Sequence, residues 1–168
     1  LDKQTGKEVW TLSGVRGSWN TPLLVPVSAD ASELVVSLPQ KVIGVDPSTG
    51  KQLWECEGIP DGGYVCPSVV AHEGVAYVIG GRRNTALAIK LGGRGDVTDS
   101  HLLWKTSRGS NVSSPVVVNG HLFWIHESRG TAYCLDTKTG EIVYEQRLAP
   151  RPGLVYSSVL AADGKLYC

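Results

Sequence analysis

Between residues 114 and 147 the chain alternates short apolar runs with turns. The runs are 114–118, 121–127, 131–135 and 141–147, separated by Asn119-Gly120, Ser128-Arg129-Gly130 and the turn 136–140. Short runs rich in Val, Ile, Thr and aromatics, bounded by Gly, Asn and Asp, are strand signals. Asn-Gly between two such runs predicts a tight hairpin, because both central residues must tolerate positive φ. The segment therefore reads as four antiparallel strands, A to D in chain order.

The same pattern recurs along the chain. Leu1-Asp2-Lys3-Gln4-Thr5-Gly6-Lys7-Glu8-Val9-Trp10 returns as Val45-Asp46-Pro47-Ser48-Thr49-Gly50-Lys51-Gln52-Leu53-Trp54 and as Leu135-Asp136-Thr137-Lys138-Thr139-Gly140-Glu141-Ile142-Val143-Tyr144, with a degenerate copy ending at Trp104. A second element keeps the same beat at Thr21-Pro22, Cys66-Pro67, Ser114-Pro115 and Ser157-Ser158, each opening a β-branched run. The period is about 45 residues, that of a four-stranded propeller blade. One blade cannot bury both its faces, so stacked blades must supply the core. The expected fold is all-β: a propeller of four-stranded antiparallel blades, three complete and one split, within a ring of seven or eight. The divisions are a blade fragment at 1–12, blades at 19–57, 64–107 and 112–148, and a partial blade at 155–168.

Each residue type in the repeated turn has a physical reason. Asp2, Asp46 and Asp136 can accept hydrogen bonds from backbone N–H groups of their own turns, and Gly6, Gly50 and Gly140 supply the left-handed conformation that closes them. Trp10, Trp54, Trp104 and Tyr144 fall on strand D, the outermost strand, where a flat ring can pack on the neighbouring blade. Gly44, Ala88 and Cys134 share one small position, expected to serve tight packing between blades.

These residues carry a resemblance. Gly44-x-Asp46-x-x-Thr49-Gly50-x-x-x-Trp54 and Cys134-x-Asp136-x-x-Thr139-Gly140-x-x-x-Tyr144 resemble the tryptophan-docking repeat of the pyrroloquinoline-quinone-like (PQQ-like) β-propellers, over nearly the whole chain. That superfamily includes quinoprotein dehydrogenases and non-catalytic propeller lipoproteins resembling the outer-membrane-assembly factor. Gly92-Gly93-Arg94-Gly95-Asp96-Val97-Thr98 with Trp104 is similar to a secreted bacterial subgroup with no assigned reaction. The resemblance thus implies an exported protein, periplasmic or bound to the cell envelope, that binds a protein or small ligand without a cofactor. Its alternative is part of a PQQ- and calcium-dependent oxidoreductase whose catalytic residues lie outside this chain. One departure stands out: Ala88-Ile89-Lys90 replaces x-x-Asp, and a longer loop at 91–100 replaces the turn, so one docking position is remodelled.

Composition narrows the partners. In 168 residues, 16 Lys and Arg balance 16 Asp and Glu, so net charge gives no case for nucleic acid or an anionic membrane surface. Apolar runs are too short to span a bilayer, which argues against direct membrane insertion. The absence of Met and of a leader suggests a processed or cut piece. Aligning the ends leaves about ten residues of the period unaccounted for, so the chain reads as strand D, three blades, then strands A and part of B. Self-association to complete a ring is one way to cover the open edges.

Candidate chemistry is sparse. The quinone reading demands a calcium site of carboxylate and amide oxygens, an Asp base and, in many members, adjacent cysteines; no adjacent pair occurs. Cys56, Cys66, Cys134 and Cys168 lack zinc-ligand spacing, and His72, His101, His121 and His126 are scattered, so no metal site is expected. Cys56 and Cys66 could be bridged only if the loop between them folds back. Arg94-Gly95-Asp96 spells an adhesion tripeptide, read as a coincidence of a Gly-rich turn. A binding site fares better, because loops on a rigid scaffold are where function concentrates. The D-to-A and B-to-C connections share one face, on which Trp19, Asn20, Asp61, Tyr64, Arg82, Arg83, Asn84, Asn111, Glu127, Arg129, Arg151 and Tyr156 are expected. Trp19 and Tyr64 precede strand A in successive blades, which suggests an aromatic-lined mouth.

Overall fold

The apolar runs become strands joined by tight turns, as their Gly and Asn punctuation demands. The computed structural model describes residues 1–60 and 64–168. The first sheet holds β1 (Leu23–Pro26), β2 (Ser32–Leu38), β3 (Lys41–Val45) and β4 (Gln52–Glu57); the second holds β5 (Val70–His72), β6 (Val75–Gly80), β7 (Thr85–Lys90) and β9 (Leu102–Thr106). The third holds β10 (Val116–Val118), β11 (His121–His126), β12 (Thr131–Asp136) and β13 (Ile142–Arg147), and β14 (Leu160–Ala162) and β15 (Lys165–Tyr167) form a two-stranded fourth. Neighbours within each sheet are antiparallel and sequential. Between β7 and β9 lie β8 (Gly95–Asp96) and a single helical turn, α1 (Thr98–His101); β8 pairs in parallel with β4, giving the first sheet a fifth strand.

Strand periodicity decides which side chain meets which blade. Because successive side chains point to opposite faces, Ala76, Val78, Leu87 and Ile89 of the second sheet pack with Val35, Val42 and Trp54 of the first. The alternate residues, Tyr77, Ile79, Ala86 and Ala88, pack with Leu122, Trp124 and Leu135 of the third. A blade interior is therefore apolar on both faces, and full burial of each such aliphatic side chain is worth about 1.5–3 kcal/mol.

The repeated turns share one geometry. Asp2 Oδ1 accepts from the N–H groups of Gln4 and Thr5, Asp46 Oδ1 from N–H and Oγ of Ser48, and Asp136 Oδ1 from the N–H groups of Lys138 and Thr139, at 2.6 to 3.1 Å. The N–H of Gly6, Gly50 and Gly140 returns to the carbonyl of the same Asp, at φ of +69°, +73° and +74°. These bonds favour the ionised carboxylate: the Ser48 hydroxyl and N–H hold Asp46 down to about 2, and Asp2 and Asp136 are lowered in the same direction.

Two aromatics reach forward onto the next turn. Trp10 Nε1 donates to Pro47 O and Trp104 Nε1 to Thr137 O, each at 2.9 Å, with their rings over Gly50 and Gly140 respectively. A Cβ on either glycine would fall within 2.7 Å of the ring. Tyr144 remains 41% exposed, near Phe123.

The structure refines three expectations. Trp54 packs with the second sheet, as expected of a strand-D ring, but its Nε1 bonds within its own sheet, donating at 2.8 Å to Glu33 Oε2. The reason is the 91–100 loop, which offers no Asp-x-x-Thr-Gly turn to receive it. The small position serves the aromatic of its own blade as well as packing between blades. Gly44 stands directly opposite Trp54, Ala88 opposite Trp104 and Cys134 opposite Tyr144, and a Cβ on Gly44 would lie 2.0 Å from Trp54 Nε1. Finally, residues 1–12, read as a strand D, form no strand. An outer strand is defined by its bonds to the strand inside it, and residues 1–12 pair with no strand among the described residues. Cys56, Cys66, Cys134 and Cys168 are free thiols.

Candidate binding face

Backbone pairing between adjacent blades sets the shape of this face. Ser18 and Val65 form a parallel bridge, with Val65 N–H donating to Gly17 O and Trp19 N–H to Val65 O, both at 2.9 Å. This aligns the two connections residue for residue and stacks Trp19 on Tyr64, with ring centroids 4.4 Å apart and planes 5° from parallel. Trp19 is 70% exposed, so an apolar aromatic surface is presented rather than buried. Asn20 braces the two connections. Its Nδ2 donates to Ser37 O and Val65 O, while its buried Oδ1 accepts from nothing among the described residues.

A second group gathers where the third blade meets its neighbours. Ser110 Oγ and Asn111 N–H both donate to Glu127 Oε2, at 2.9 and 3.1 Å, so Asn111 contributes its backbone to a carboxylate cradle. Val155 N–H donates to Glu127 O, and Ser113 Oγ to Val155 O. Arg151 Nη2 donates to Ser128 O at 3.1 Å, which ties the connection after β13 to the turn that carries Arg129. Arg82 and Arg83 are exposed on the turn between β6 and β7, closed by Asn84 N–H to Gly81 O with Asn84 at φ +55°. Gly109 backs onto that turn, since a Cβ there would meet Thr85 O at 2.5 Å. Tyr156 is 59% exposed. Asp61 lies outside the described residues.

The structure thus groups the sequence-derived residues unevenly. Trp19 and Tyr64 touch, Arg151 bonds to the turn that carries Arg129, and Asn20 and Asn111 bond to the scaffold. Two features had no clear sequence signal. His126 is buried, with Nδ1 accepting from Ser128 N–H at 3.3 Å and lying 3.6 Å from Glu127 Oε2; burial pushes its pKa below the ordinary value. Its Nε2 has no partner among the described residues. The strand-A openings are also linked blade to blade. Thr21 N–H donates to Ser68 Oγ, Ser68 N–H to Ser114 Oγ and Ser114 N–H to Ser158 Oγ, at 3.1, 3.0 and 3.3 Å. The recurrence of Ser near strand A was visible in the sequence, but the direction of its hydroxyl was not.

The described residues gather no cluster of carboxylates of the kind the quinone reading asks of a calcium site. No three of their His, Cys, Asp and Glu side chains converge, and the Glu127 Oε2 that faces the connection is already engaged by two donors. No helix is long and apolar enough to cross a membrane among them.

Comparison with known proteins agrees with this architecture. The family model described as outer membrane protein assembly factor BamB matches residues 1–94 and 93–168. Among solved structures, BamB from Moraxella catarrhalis is similar at 17% identity and a TM-score of 0.60, over 88% of this chain and 43% of that one. A europium-containing methanol dehydrogenase is similar at 15% identity and a TM-score of 0.56, over 81% of this chain and 26% of that one. The chain therefore spans less than half the length of either structure, and at these identities the likeness is one of fold. No curated protein matches the sequence significantly. Repeat, sheet order and family match agree that the chain belongs to the PQQ-like β-propeller family described as outer membrane protein assembly factor BamB.

Proposed function

We propose that the chain is a non-catalytic propeller segment that binds a partner protein through the face formed by its D-to-A and B-to-C connections, in an exported protein of the periplasm or cell envelope. The observation that carries this reading is the Trp19–Tyr64 stack, a rigid and exposed aromatic platform on backbone-paired connections. Aromatic side chains with few torsions lose little entropy on binding, which is why they concentrate at interface hot spots. Membership of a family described as an assembly factor supports a protein partner over a small ligand.

The test places a photo-crosslinking amino acid at Trp19 or Tyr156, with Ser48 and Lys138 on the opposite face as controls, in the host cell. A discrete crosslinked protein from the first pair and none from the second is expected. Equal crosslinking from both faces, or none from Trp19 and Tyr156, overturns the reading. The alternative, a quinoprotein oxidoreductase whose catalytic groups lie outside this chain, is favoured by the methanol dehydrogenase likeness. Titration of the protein with PQQ and Ca²⁺ separates the two, because tight stoichiometric uptake would sink the non-catalytic reading.

A further inference from the structure

The turn between β11 and β12 fastens two other connections of the binding face. Ser128 O accepts from Arg151 Nη2 at 3.1 Å, and Gly130 O from Leu148 N–H at 2.9 Å. Gly130 leaves no room for a side chain, since a Cβ there would lie 2.9 Å from Pro152 Cδ. Just before the turn, Glu127 O accepts from Val155 N–H, and Glu127 Oε2 from Ser110 Oγ and Asn111 N–H. The connection after β9 and the connection after β13 thus both hang on residues 127–130.

One side chain holds this turn from inside. His126, the last residue of β11, is 4% exposed, and its Nδ1 accepts from Ser128 N–H at 3.3 Å. A ring nitrogen that accepts carries no proton, so the neutral imidazole bears its hydrogen on Nε2. That group has no partner among the described residues. Nδ1 also lies 3.6 Å from Glu127 Oε2, the oxygen already taken by Ser110 and Asn111. Alternation along β11 turns His126 to the side of Trp124, which packs with Tyr77, Ile79, Ala86 and Ala88 of the second blade. The charged groups that act on the ring are Glu127, Arg129 and Glu145 of its own blade. From the second-blade side, Arg108 Nε lies 3.7 Å from Glu145 Oε2, Arg82 and Arg83 stand exposed on the turn after β6, and the Tyr77 hydroxyl lies with Thr137.

We propose that His126 is a proton-operated latch on this face: neutral, it holds the 128–130 turn closed, and on taking a proton in mild acid it releases Ser128 and lets the turn open. The chemistry is one of donors and acceptors. The added proton sits on Nδ1, so a donor then faces the Ser128 N–H, itself a donor, and that bond is lost. The imidazolium has Glu127 Oε2 within reach, and pairing there competes with Ser110 and Asn111 for one oxygen. A buried charge without a full set of partners is unfavourable, and opening toward solvent relieves it. Burial accordingly holds the ring below its ordinary value, with Glu127 and Glu145 opposing the shift and Arg129 reinforcing it. The closed turn is therefore complete above the ordinary value of 6.5 and is lost as pH falls below it. The latch rests on the binding reading above for its use, but not for its chemistry.

The test follows the whole chain from about pH 7.5 to about 5, with the His126 ring monitored by NMR and the backbone by hydrogen exchange corrected for its intrinsic pH dependence. His126 is expected to titrate below its ordinary value, and protection of the 128–130 amides to fall about tenfold as it does. His126→Asn offers Ser128 N–H an amide oxygen that does not titrate, and should keep the turn protected throughout. Glu127→Gln removes the carboxylate that favours the imidazolium, and should move the transition to lower pH. His121→Asn, at the other end of β11, should leave it unchanged. A His126 that titrates at or above its ordinary value, a turn still protected at the acid end, or equal opening in His126→Asn overturns the inference. Should His126→Asn not fold, the direction of the Glu127→Gln shift decides in its place. These readouts need no partner, so a turn that stays closed sinks the latch and leaves the crosslinking test of protein binding untouched.

Discussion

Trp104 and Trp54 stand at equivalent places in the repeat, each opposite a small residue on the neighbouring strand. At the second-to-third blade junction Trp104 donates to Thr137 O over Gly140, the turn supplying both acceptor and space. At the first-to-second junction the turn is gone. Trp54 finds its acceptor in Glu33, a carboxylate only 1% exposed, which also receives Gly92 N–H at 3.3 Å and Arg94 Nη1 at 2.9 Å. The 91–100 loop then reaches across as β8, with Val97 N–H donating to Glu55 O and Glu57 N–H to Thr98 Oγ1. Arg94 and Asp96 of the adhesion-like tripeptide are thus drawn into a clasp between blades. One junction is fastened by a neutral hydrogen bond over glycine, the other by a buried charge and an added strand. A motif aromatic therefore needs an acceptor, but not a particular one.

The largest contrast should come from removing the buried acceptor. Glu33→Ala strips the partner from the Trp54 indole, the Gly92 amide and Arg94 together. Because breaking a buried, hydrogen-bonded charge typically costs 3–5 kcal/mol, and Arg94 is largely solvated, a loss of about 3 kcal/mol is expected in denaturant titration. Faster tryptic cleavage at Arg94 should accompany it. A loss below about 1 kcal/mol would mean that the clasp adds little beyond the regular junction.

Gly44→Ala probes the other side of Trp54. The added methyl would overlap the indole, and overpacking of this kind costs about 1–3 kcal/mol, together with a change in near-ultraviolet circular dichroism as the ring moves. An unchanged spectrum would show that the strand yields instead. Trp104→Phe keeps an aromatic ring but loses the bond to Thr137 O, for roughly 1 kcal/mol. Trp54→Phe should cost more, since its bond is to a carboxylate. If the two melt alike, the junctions are energetically equivalent despite their different wiring.

The smallest effect is in pH. Asp46 is held at about 2 in the fold against 3.8 for an ordinary aspartate. Its contribution is therefore fully present above pH 3.8 and lost as pH falls toward 2. Asp46→Asn should remove that contribution above pH 3.8, neutrality included, and so flatten the stability profile of the protein in that window, as thermal melts across pH would show. A profile unchanged by the substitution would remove the turn aspartate from the acid response.

Much of this was legible in the residues. The sheet order, the Asp and Gly turn chemistry and the remodelled third turn are local matters, settled within a dozen residues by hydrogen bonds and φ preferences. What replaced the missing turn was not legible, because Glu33 and Arg94 are 61 residues apart and nothing local marks Glu33 as a buried acceptor. The face was legible in part. Trp19 and Tyr64 could be placed before strand A from spacing, but their stacking depends on the Ser18 and Val65 bridge between chains of residues in different blades.

The sequence by itself determined the period, the strands, the turns and the alternation that gives each blade two apolar faces, since these follow from backbone geometry and side-chain type within one repeat. Only the tertiary structure decided which acceptor each tryptophan uses, how the 91–100 loop becomes a fifth strand, and how Trp19 and Tyr64 come to stack. The physical reason is common to all three. Burial and charge are properties of where repeats meet, and blade stacking brings together residues that the chain keeps far apart.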